Sequence, residues 1–214
     1  MNKPNYHLQM MNIIQDFEQA LPKKSLLLHI CCAPCASYCL ELLTQYFDIT
    51  LLYYNPNISD IEEYELRKKE VLRLVDFYQG KVKYLDTGWQ NDDFVKIAKG
   101  YEHCVEGGER CARCYQLRLD YTARVCKEMG FDYFASTLSI SPHKNSLLLN
   151  KIGEQCGAQY GVLHLPNDFK KNEGYKRSCA LSEQFGFYRQ DYCGCEFSKR
   201  ESMERANNCP AQNN

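Results

Sequence analysis

The chain has 214 residues, 44% of them apolar and 25% charged, so it can bury a hydrophobic core of the size usual for one domain. Its formal net charge of -1 excludes a protein-wide positive field, and any nucleic-acid binding must therefore come from a local patch. The start, MNKPNYHLQMMNIIQDF, is too polar for a secretory signal, and no stretch approaches the roughly 18 apolar residues of a membrane helix. We expect a cytoplasmic protein that contacts no membrane.

Strands and helices alternate along the predicted chain. The strands are expected at 25–30, 49–54, 81–85, 133–140 and 161–165. The helices are expected at 36–46, from the Ser59 cap to before Gly80, and at 91–99, 111–129 and 147–152. Strands that are apolar on both faces and alternate with helices indicate a parallel sheet covered on both sides. We therefore predict a Rossmann-like α/β fold.

The domain organisation is predicted to be simple. We interpret 1–214 as one domain with an α/β core at 24–165. The charged and aromatic segment 166–200 is expected to cap the sheet without regular structure, and 201–214 has the composition of a disordered tail. Ligands of open parallel sheets bind at the carboxyl ends of the strands. The loops that follow the first, second and fourth predicted strands should therefore meet at one edge.

Thirteen cysteines are many for a chain of this length, and an odd number cannot all pair in disulfides. In the cytoplasm, cysteine clusters more often serve metal or redox chemistry than structural crosslinking. Cys39, Cys126 and Cys156 fall in helical patterns and are predicted to be buried apolar residues. The remaining cysteines include ligands, nucleophiles or free thiols.

Two cysteine segments lie where helices are predicted to begin. HICCAPC places Cys31, Cys32 and Cys35 directly after the first strand, and RCARC places Cys111 and Cys114 three positions apart. A helix amino terminus favours thiolates, and two thiolates from each segment would hold a 4Fe-4S cluster or a structural zinc. The spacing alone does not separate these metals. Adjacent Cys31 and Cys32 are expected to point apart, which favours separate iron corners of a cubane.

A third cysteine segment, DYCGCEF, holds Cys193 and Cys195 with one glycine between them. A disulfide across so short a loop is strained, and strain raises its reduction potential toward the labile, catalytic class. The pair is therefore either a redox couple or two further metal ligands. Both interpretations stay open on the residues alone.

Polar residues near the predicted strand ends could contact a nucleotide. In DFKKNEGYKRS, Lys170 and Lys171 lie among aromatic rings, a combination that single-stranded RNA recognition requires, although a charge run is more often a solvated face. Amide, hydroxyl and amino groups that could read a base edge follow two strands, at Asn55, Asn57, Ser141, Lys144 and Asn145. Asparagine in a turn is more often present for backbone geometry. His29 and Tyr64 are predicted to be core residues.

Seven segments, in the same order, resemble the cobalamin-independent epoxyqueuosine reductases. They are HICCAPC (29–35), YNPNI (54–58), YELR (64–67), RCARCYQLRL (110–119), STLSISPHKN (136–145), DFKKNEGYKRS (168–178) and YRQDYCGCEFS (188–198). The resemblance implies a fold like the adenine nucleotide alpha-hydrolases. It also implies reduction of epoxyqueuosine to queuosine at the wobble position of tRNA with a GUN anticodon, the final step of queuosine biosynthesis, with electrons from an unidentified donor.

The resemblance also implies roles for particular residues. It implies that four thiolates carry a 4Fe-4S cluster, namely Cys31, Cys32, Cys111 and Cys114. It implies a redox-active disulfide between Cys193 and Cys195, and a second, mononuclear iron for which Cys35 is our candidate ligand. The candidate substrate-binding residues are Asn55, Asn57, Ser141, Lys144, Asn145, Lys170 and Lys171.

Two other functions would place similar residues on such a sheet. A tRNA thiolation enzyme needs a glycine-rich ATP loop after the first strand, where this chain has CCAPCAS, so we expect no ATP hydrolysis. A zinc-stabilised RNA-binding module would explain Cys111 and Cys114, but it gives no reason for the CGC segment or for adjacent Cys31 and Cys32. Metal analysis separates this module from an iron-sulfur enzyme.

Overall fold

A computed structural model describes residues 4–17 and 22–208. The helices in these ranges are α1 (Tyr6–Gln15), α2 (Ala33–Leu43), α3 (Ile61–Phe77), α4 (Asn91–Ala98), α5 (Glu109–Met129), α6 (Ser146–Tyr160), α7 (Gly174–Gln184) and α8 (Glu196–Asn208). The strands are β1 (Lys24–His29), β2 (Phe47–Tyr53), β3 (Val82–Asp86), β4 (Tyr133–Ser136) and β5 (Leu163–His164). The alternation of strands and helices predicted from the sequence is confirmed.

The five strands form one parallel sheet in the order β3-β2-β1-β4-β5. The chain moves outward from β1 to β3 and then returns to the other side of β1 as β4. In β1, His29 is opposite Leu52 of β2 and Ser136 of β4. The carboxyl ends of β1 and β4 therefore flank the switch point of the topology, where open α/β sheets bind ligands.

The central strand is buried on both faces. Leu26 and Leu28 are fully buried in a cluster with residues of α1, α2 and α3, whereas Leu27 is fully buried in a cluster with residues of α5 and α6. Each such leucine contributes roughly 2 kcal/mol of burial free energy. This burial explains why the strands are continuous apolar runs in the sequence. It also fixes the position at which the loop after β1 leaves the sheet.

Several predicted element boundaries are wrong. The helix expected at 147–152 is α6 (Ser146–Tyr160), and two further differences have a local cause. The strand expected at 133–140 ends at Ser136, whose hydroxyl accepts a hydrogen bond from the Leu138 N–H at 3.3 Å, and a short 3-10 helix follows at Thr137–Ile140. Helix α3 is capped by Asp60, which accepts from the Glu62 N–H at 3.0 Å, instead of by Ser59. In both cases a local hydrogen bond from a side chain decides the backbone conformation.

The segment after Pro166 is less irregular than predicted, because it contains α7 and α8. Several of its residues line a cavity together with the loops that follow β1 and β4. Helix α8 continues through 201–208, where a disordered tail was expected, and 209–214 lie outside the described residues. Among the described residues, no helix is both long enough and apolar enough to cross a membrane.

Candidate active site

A cavity of about 370 Å³ opens at the carboxyl ends of β1 and β4. The loop after β1 contributes Cys31 and Cys35, and the loop after the 3-10 helix contributes 141–144. The remaining wall comes mainly from the cap, through Tyr175, Ser178, Arg189, Gln190, Asp191, Tyr192, Cys193 and Arg205. The loops after β1 and β4 therefore meet at one edge, and we call this space the cysteine cavity.

Three thiols form a compact group at the base of this cavity. The sulfur atoms of Cys31, Cys32 and Cys35 all lie within 4.8 Å of one another, and the Cys31 and Cys32 Sγ atoms are 3.6 Å apart. The expectation that adjacent Cys31 and Cys32 point apart is therefore wrong. Sulfurs held about 2.3 Å from one tetrahedral ion lie about 3.8 Å from each other. The three-thiol group thus has the donor chemistry and the spacing to hold a metal.

Cys31 is the most acidic thiol of the three-thiol group. Hydrogen bonds from the Cys32 and Cys35 thiols, together with the charges of Arg118 and Lys144, hold the pKa of Cys31 well below its ordinary value, although burial opposes them. The hydrogen bond to Cys31 raises the pKa of Cys32 to about 12, and that of Cys35 is also raised well above its ordinary value. One thiolate flanked by two thiols is a site that attracts a thiophilic cation.

The α5 cysteines lie beside the cap cysteines and are not part of the three-thiol group. Burial, together with the nearby Cys193 and Cys195, raises the pKa of Cys111 to about 11 and that of Cys114 to about 12. The Gly107 N–H donates to Cys111 Sγ at 3.3 Å. Cys111 and Cys114 therefore sit between the loop before α5 and the CGC segment of the cap.

Arg118 joins the two groups of cysteines. Its side chain is 1% exposed, and it donates to Asn55 Oδ1 at 2.6 Å, to His29 Nε2 at 3.1 Å and to the thiol of Cys114. Its charge also lowers the pKa of Cys31. The sequence reasoning missed this residue, although its position four residues after Cys114 on one helix places both on the same face.

The CGC segment is held by buried donors from the β2–α3 region. The Cys193 carbonyl accepts from Arg67 Nη1 at 3.1 Å and from Asn57 Nδ2 at 3.3 Å. Gly194 adopts a φ of +116°, and its carbonyl accepts from the Ser59 N–H at 3.1 Å. Cys193 and Cys195 carry free thiols in this structure. Arg67 therefore sets the position of the cap cysteines.

The asparagines predicted to bind substrate do not line the cysteine cavity. Asn55 and Asn57 are each 1% exposed, and their amides bind the protein itself: Asn55 Nδ2 donates to the Ile30 carbonyl at 2.9 Å. Asn145 caps α6, where its Oδ1 accepts from the Leu148 N–H at 3.2 Å. The structure therefore gives these three side chains protein partners.

The other predicted binding residues divide between two cavities. Ser141 and Lys144 line the cysteine cavity, whereas Lys170 and Lys171 line a separate one. The cap supplies Tyr175, one of the aromatic rings expected in DFKKNEGYKRS, and Arg189, which sequence reasoning missed. The Arg189 guanidinium lies 5.4 Å from the centre of the Tyr175 ring, and both residues line the cysteine cavity. Such pairs suit contact with a base and its phosphate.

Several residues predicted to be structural are confirmed as such. Cys39, Cys126 and Cys156 are fully buried in the apolar clusters. His29 is fully buried, with Nδ1 2.8 Å from Ser136 Oγ, and Tyr64 is buried with its hydroxyl donating to Asp86. Cys209, to which no role was given, lies outside the described residues.

Comparison with known proteins bears on this cavity directly. The family model described as "Epoxyqueuosine reductase QueH" matches residues 26–201. The chain is 42% identical over 202 residues to epoxyqueuosine reductase QueH of Streptococcus pyogenes, a match that covers 92% of this chain and 79% of the relative. It is 41% identical to the Staphylococcus epidermidis protein (92% and 85% covered) and 35% identical to the Thermotoga maritima protein (85% and 93% covered). The resemblance seen in seven motifs is confirmed, and the chain belongs to the epoxyqueuosine reductase QueH family.

Proposed function

We propose that this chain reduces epoxyqueuosine to queuosine at the wobble position of tRNA. The observation that carries the proposal is the family match over 26–201, a range that contains every cysteine of the cavity and of the neighbouring α5 and cap segments. The reaction adds two electrons and two protons to the substrate. Both carbon–oxygen bonds of the epoxide break, a carbon–carbon double bond forms, and the oxygen leaves as water.

We assign the metal ligands on the chemistry of the donors. A set made only of thiols is typical of iron-sulfur sites, and Cys31, Cys32, Cys111 and Cys114 would hold a 4Fe-4S cluster. Arg118 supports this assignment because it contacts Cys114 while its charge acts on Cys31. Cys35, the third member of the compact group, would bind a mononuclear iron. When bound, these metals would supply electrons and a Lewis acid for the epoxide oxygen.

The residues of the cavity wall would bind and orient the substrate. The rings of Tyr175 and Tyr192 would stack on bases, and Arg189 would neutralise a phosphate at the mouth. Lys144 lies deeper, where its charge acts on Cys31. Its Nζ carries protons and would donate one to the leaving oxygen.

The CGC thiols would serve as an electron store. Oxidation of Cys193 and Cys195 to a disulfide releases two electrons and two protons, which is the number that one turnover consumes. An external donor, which we do not identify, would then reduce the disulfide. We expect replacement of both cysteines by serine to lower turnover with that donor. The matched replacement of Cys104 and Cys179 by serine should leave turnover with that donor unchanged. Equal turnover of the two double variants would argue against Cys193 and Cys195 as an electron store.

The first experiment combines metal analysis with an assay. The protein is purified without oxygen, its iron and sulfide are measured, and it is incubated with dithionite and tRNA that carries epoxyqueuosine and a GUN anticodon. We expect an iron-containing, visibly coloured protein that forms queuosine. A protein with stoichiometric zinc and no iron, inactive after cluster reconstitution, would overturn the proposal. Because the substrate is a tRNA, we expect the enzyme to act in the cytoplasm.

A further inference from the structure

A second cavity, of about 450 Å³, lies on the other side of the loop before α6. It is formed by three segments: the start of α1, the start of α6 and the turn at 168–172. It shares no lining residue with the cysteine cavity. We call this space the amino-terminal cavity, and of the residues expected to bind substrate only Lys170 and Lys171 line it.

Two helices begin at the amino-terminal cavity. Each is capped by an asparagine, because Asn5 Oδ1 accepts from the Leu8 N–H at 3.1 Å and Asn145 Oδ1 accepts from Leu148. The first two backbone N–H groups of each helix make no hydrogen bond within the described part of the chain. They belong to Tyr6, His7, Ser146 and Leu147, and all four residues line the cavity. Helix amino termini carry partial positive charge and bind anions.

His7 adds a buried donor to this wall. Its side chain is 8% exposed, and Asn172 Nδ2 lies 2.7 Å from its Nε2. Since the Asn172 amide donates this bond, the neutral ring carries its proton on Nδ1. That nitrogen is buried without a partner among the described residues. Buried polar groups normally have partners, so this donor indicates a ligand that supplies an acceptor.

The charges in the amino-terminal cavity leave a positive excess. The single carboxylate in its wall, Asp168, pairs with Lys170 at 2.7 Å and accepts from Ser146 Oγ at 3.0 Å. Lys171 is exposed and makes no ion pair with the described residues. Its charge and the two helix amino termini are therefore uncompensated. The ligand that fits four backbone donors, an imidazole N–H and a lysine is an anion with several oxygens.

We propose that the amino-terminal cavity binds a backbone phosphate of the tRNA while the modified nucleotide occupies the cysteine cavity. The proposal rests on the function proposed above. Lys144 lines one cavity and Ser146 the other, so no more than about 7 Å of chain separates the two walls. Nucleotides close together on one strand can therefore reach both cavities.

The test measures binding of the whole protein to tRNA with unmodified guanosine at the wobble position. For Lys171→Ala we expect about fivefold weaker binding and a slope of log K against log salt that is smaller by about 0.7 to 0.9, the loss of one phosphate contact. Lys171→Arg should bind like the unchanged protein. Lys176→Ala is the matched control, because Lys176 pairs with Glu173 on the same segment and lines neither cavity.

A second variant tests the imidazole. His7→Phe keeps an aromatic ring but removes the Nδ1 donor, and we expect it to weaken binding with little change in melting temperature. In the reductase assay, Lys171→Ala should raise KM for tRNA and leave kcat unchanged. If Lys171→Ala and His7→Phe both bind tRNA as Lys176→Ala does, the phosphate site is wrong. Such a result would not contradict the proposed reductase function. If instead the protein without substitutions bound tRNA but did not reduce its epoxyqueuosine, the reductase function would be wrong and the phosphate site would stand.

Discussion

The two cysteine turns of the cavity, 31–35 and 193–195, are built in different ways. The first turn is local: it joins the end of β1 to the start of α2, and its own backbone brings three sulfurs within 4.8 Å. The second depends on residues far away in the chain, because Arg67 and Asn57, 126 and 136 positions earlier, hold the Cys193 carbonyl. A compact thiol group can thus be encoded by spacing, whereas the position of the CGC segment needs the complete fold.

Replacing Arg118, which joins the two groups of cysteines, should have the largest effect. Arg118→Met would leave Asn55 and the Cys114 thiol without their buried partner, and we expect a loss of about 3 kcal/mol in the free energy of unfolding. Thermal melting and iron analysis check this, and bound iron should fall as well. Arg124→Met on the same helix is the control, since its exposed pair with Glu128 contributes at most about 0.5 kcal/mol. Equal melting of both variants would contradict the role of Arg118.

The second turn alone should respond to Gly194→Ala. A Cβ there would lie 3.0 Å from Ile58 Cγ1 and 3.2 Å from Arg67 Nη1, on a backbone with a φ of +116°. We expect a loss of about 2 kcal/mol and of turnover, with iron retained. Gly80→Ala is the control, because its φ is +83° but no atom lies within 4 Å. Gly80→Ala should lose stability only through backbone strain. An equal loss of unfolding free energy in both variants would mean that the contacts of Gly194 with Ile58 and Arg67 contribute nothing.

The first turn alone should respond to Cys35→Ala. We expect the variant to bind about one iron fewer per chain, and to lose less than about 1 kcal/mol because Cys35 is only half-buried. Cys39→Ala, one turn later on α2, should lose about 1 kcal/mol and keep all its iron, since Cys39 is fully buried in the apolar core. Cys35→Asp should retain iron, because a carboxylate is also a ligand. Iron lost from the Cys39 variant instead would remove Cys35 from the ligand set.

The outer wall of the cap should matter least. Arg205 lies 3.8 Å from Glu106, and its side chain is 59% exposed. We expect Arg205→Ala to change the free energy of unfolding by less than about 0.5 kcal/mol, because exposed ion pairs contribute little. Urea unfolding measures this. A loss as large as that of Gly194→Ala would show that the cap is held by its exposed rim rather than by its contacts to Arg67.

The parts of the molecule that depend on local pattern were predictable from the sequence. The strands are apolar on both faces because helices cover both sides of the sheet. The fold class and the alternation of strands and helices along the chain therefore follow from periodicity. The cysteine segments next to predicted helix starts indicated the cavity edge in the same way. The end of β4 was not predictable, because TLSI is as apolar as a strand while a serine side chain turns it into a 3-10 helix.

The residues that depend on tertiary contacts were not predictable. Arg67 and Arg118 are buried charges, a rare condition that requires polar partners. Each has one partner four residues away on its own helix, Glu63 for Arg67 and Cys114 for Arg118. Their other partners, the Cys193 carbonyl and the Asn55 amide, lie far away in the chain, and no spacing in the sequence announces these. The pairing of Tyr175 with Arg189 in the cap wall was likewise missed, since the two residues come together only after α7 has folded onto α2.

The cap part of the cysteine-cavity wall leaves the ribosome after the parts that the loops following β1 and β4 contribute. The three-thiol group needs only β1 and α2, but the CGC segment needs contacts that span more than 120 residues. Contacts of long sequence separation form late in folding. We therefore expect a nascent chain to pass through a stage in which its first cysteines are already grouped and open to solvent, and the period for cofactor insertion would end when the cap closes.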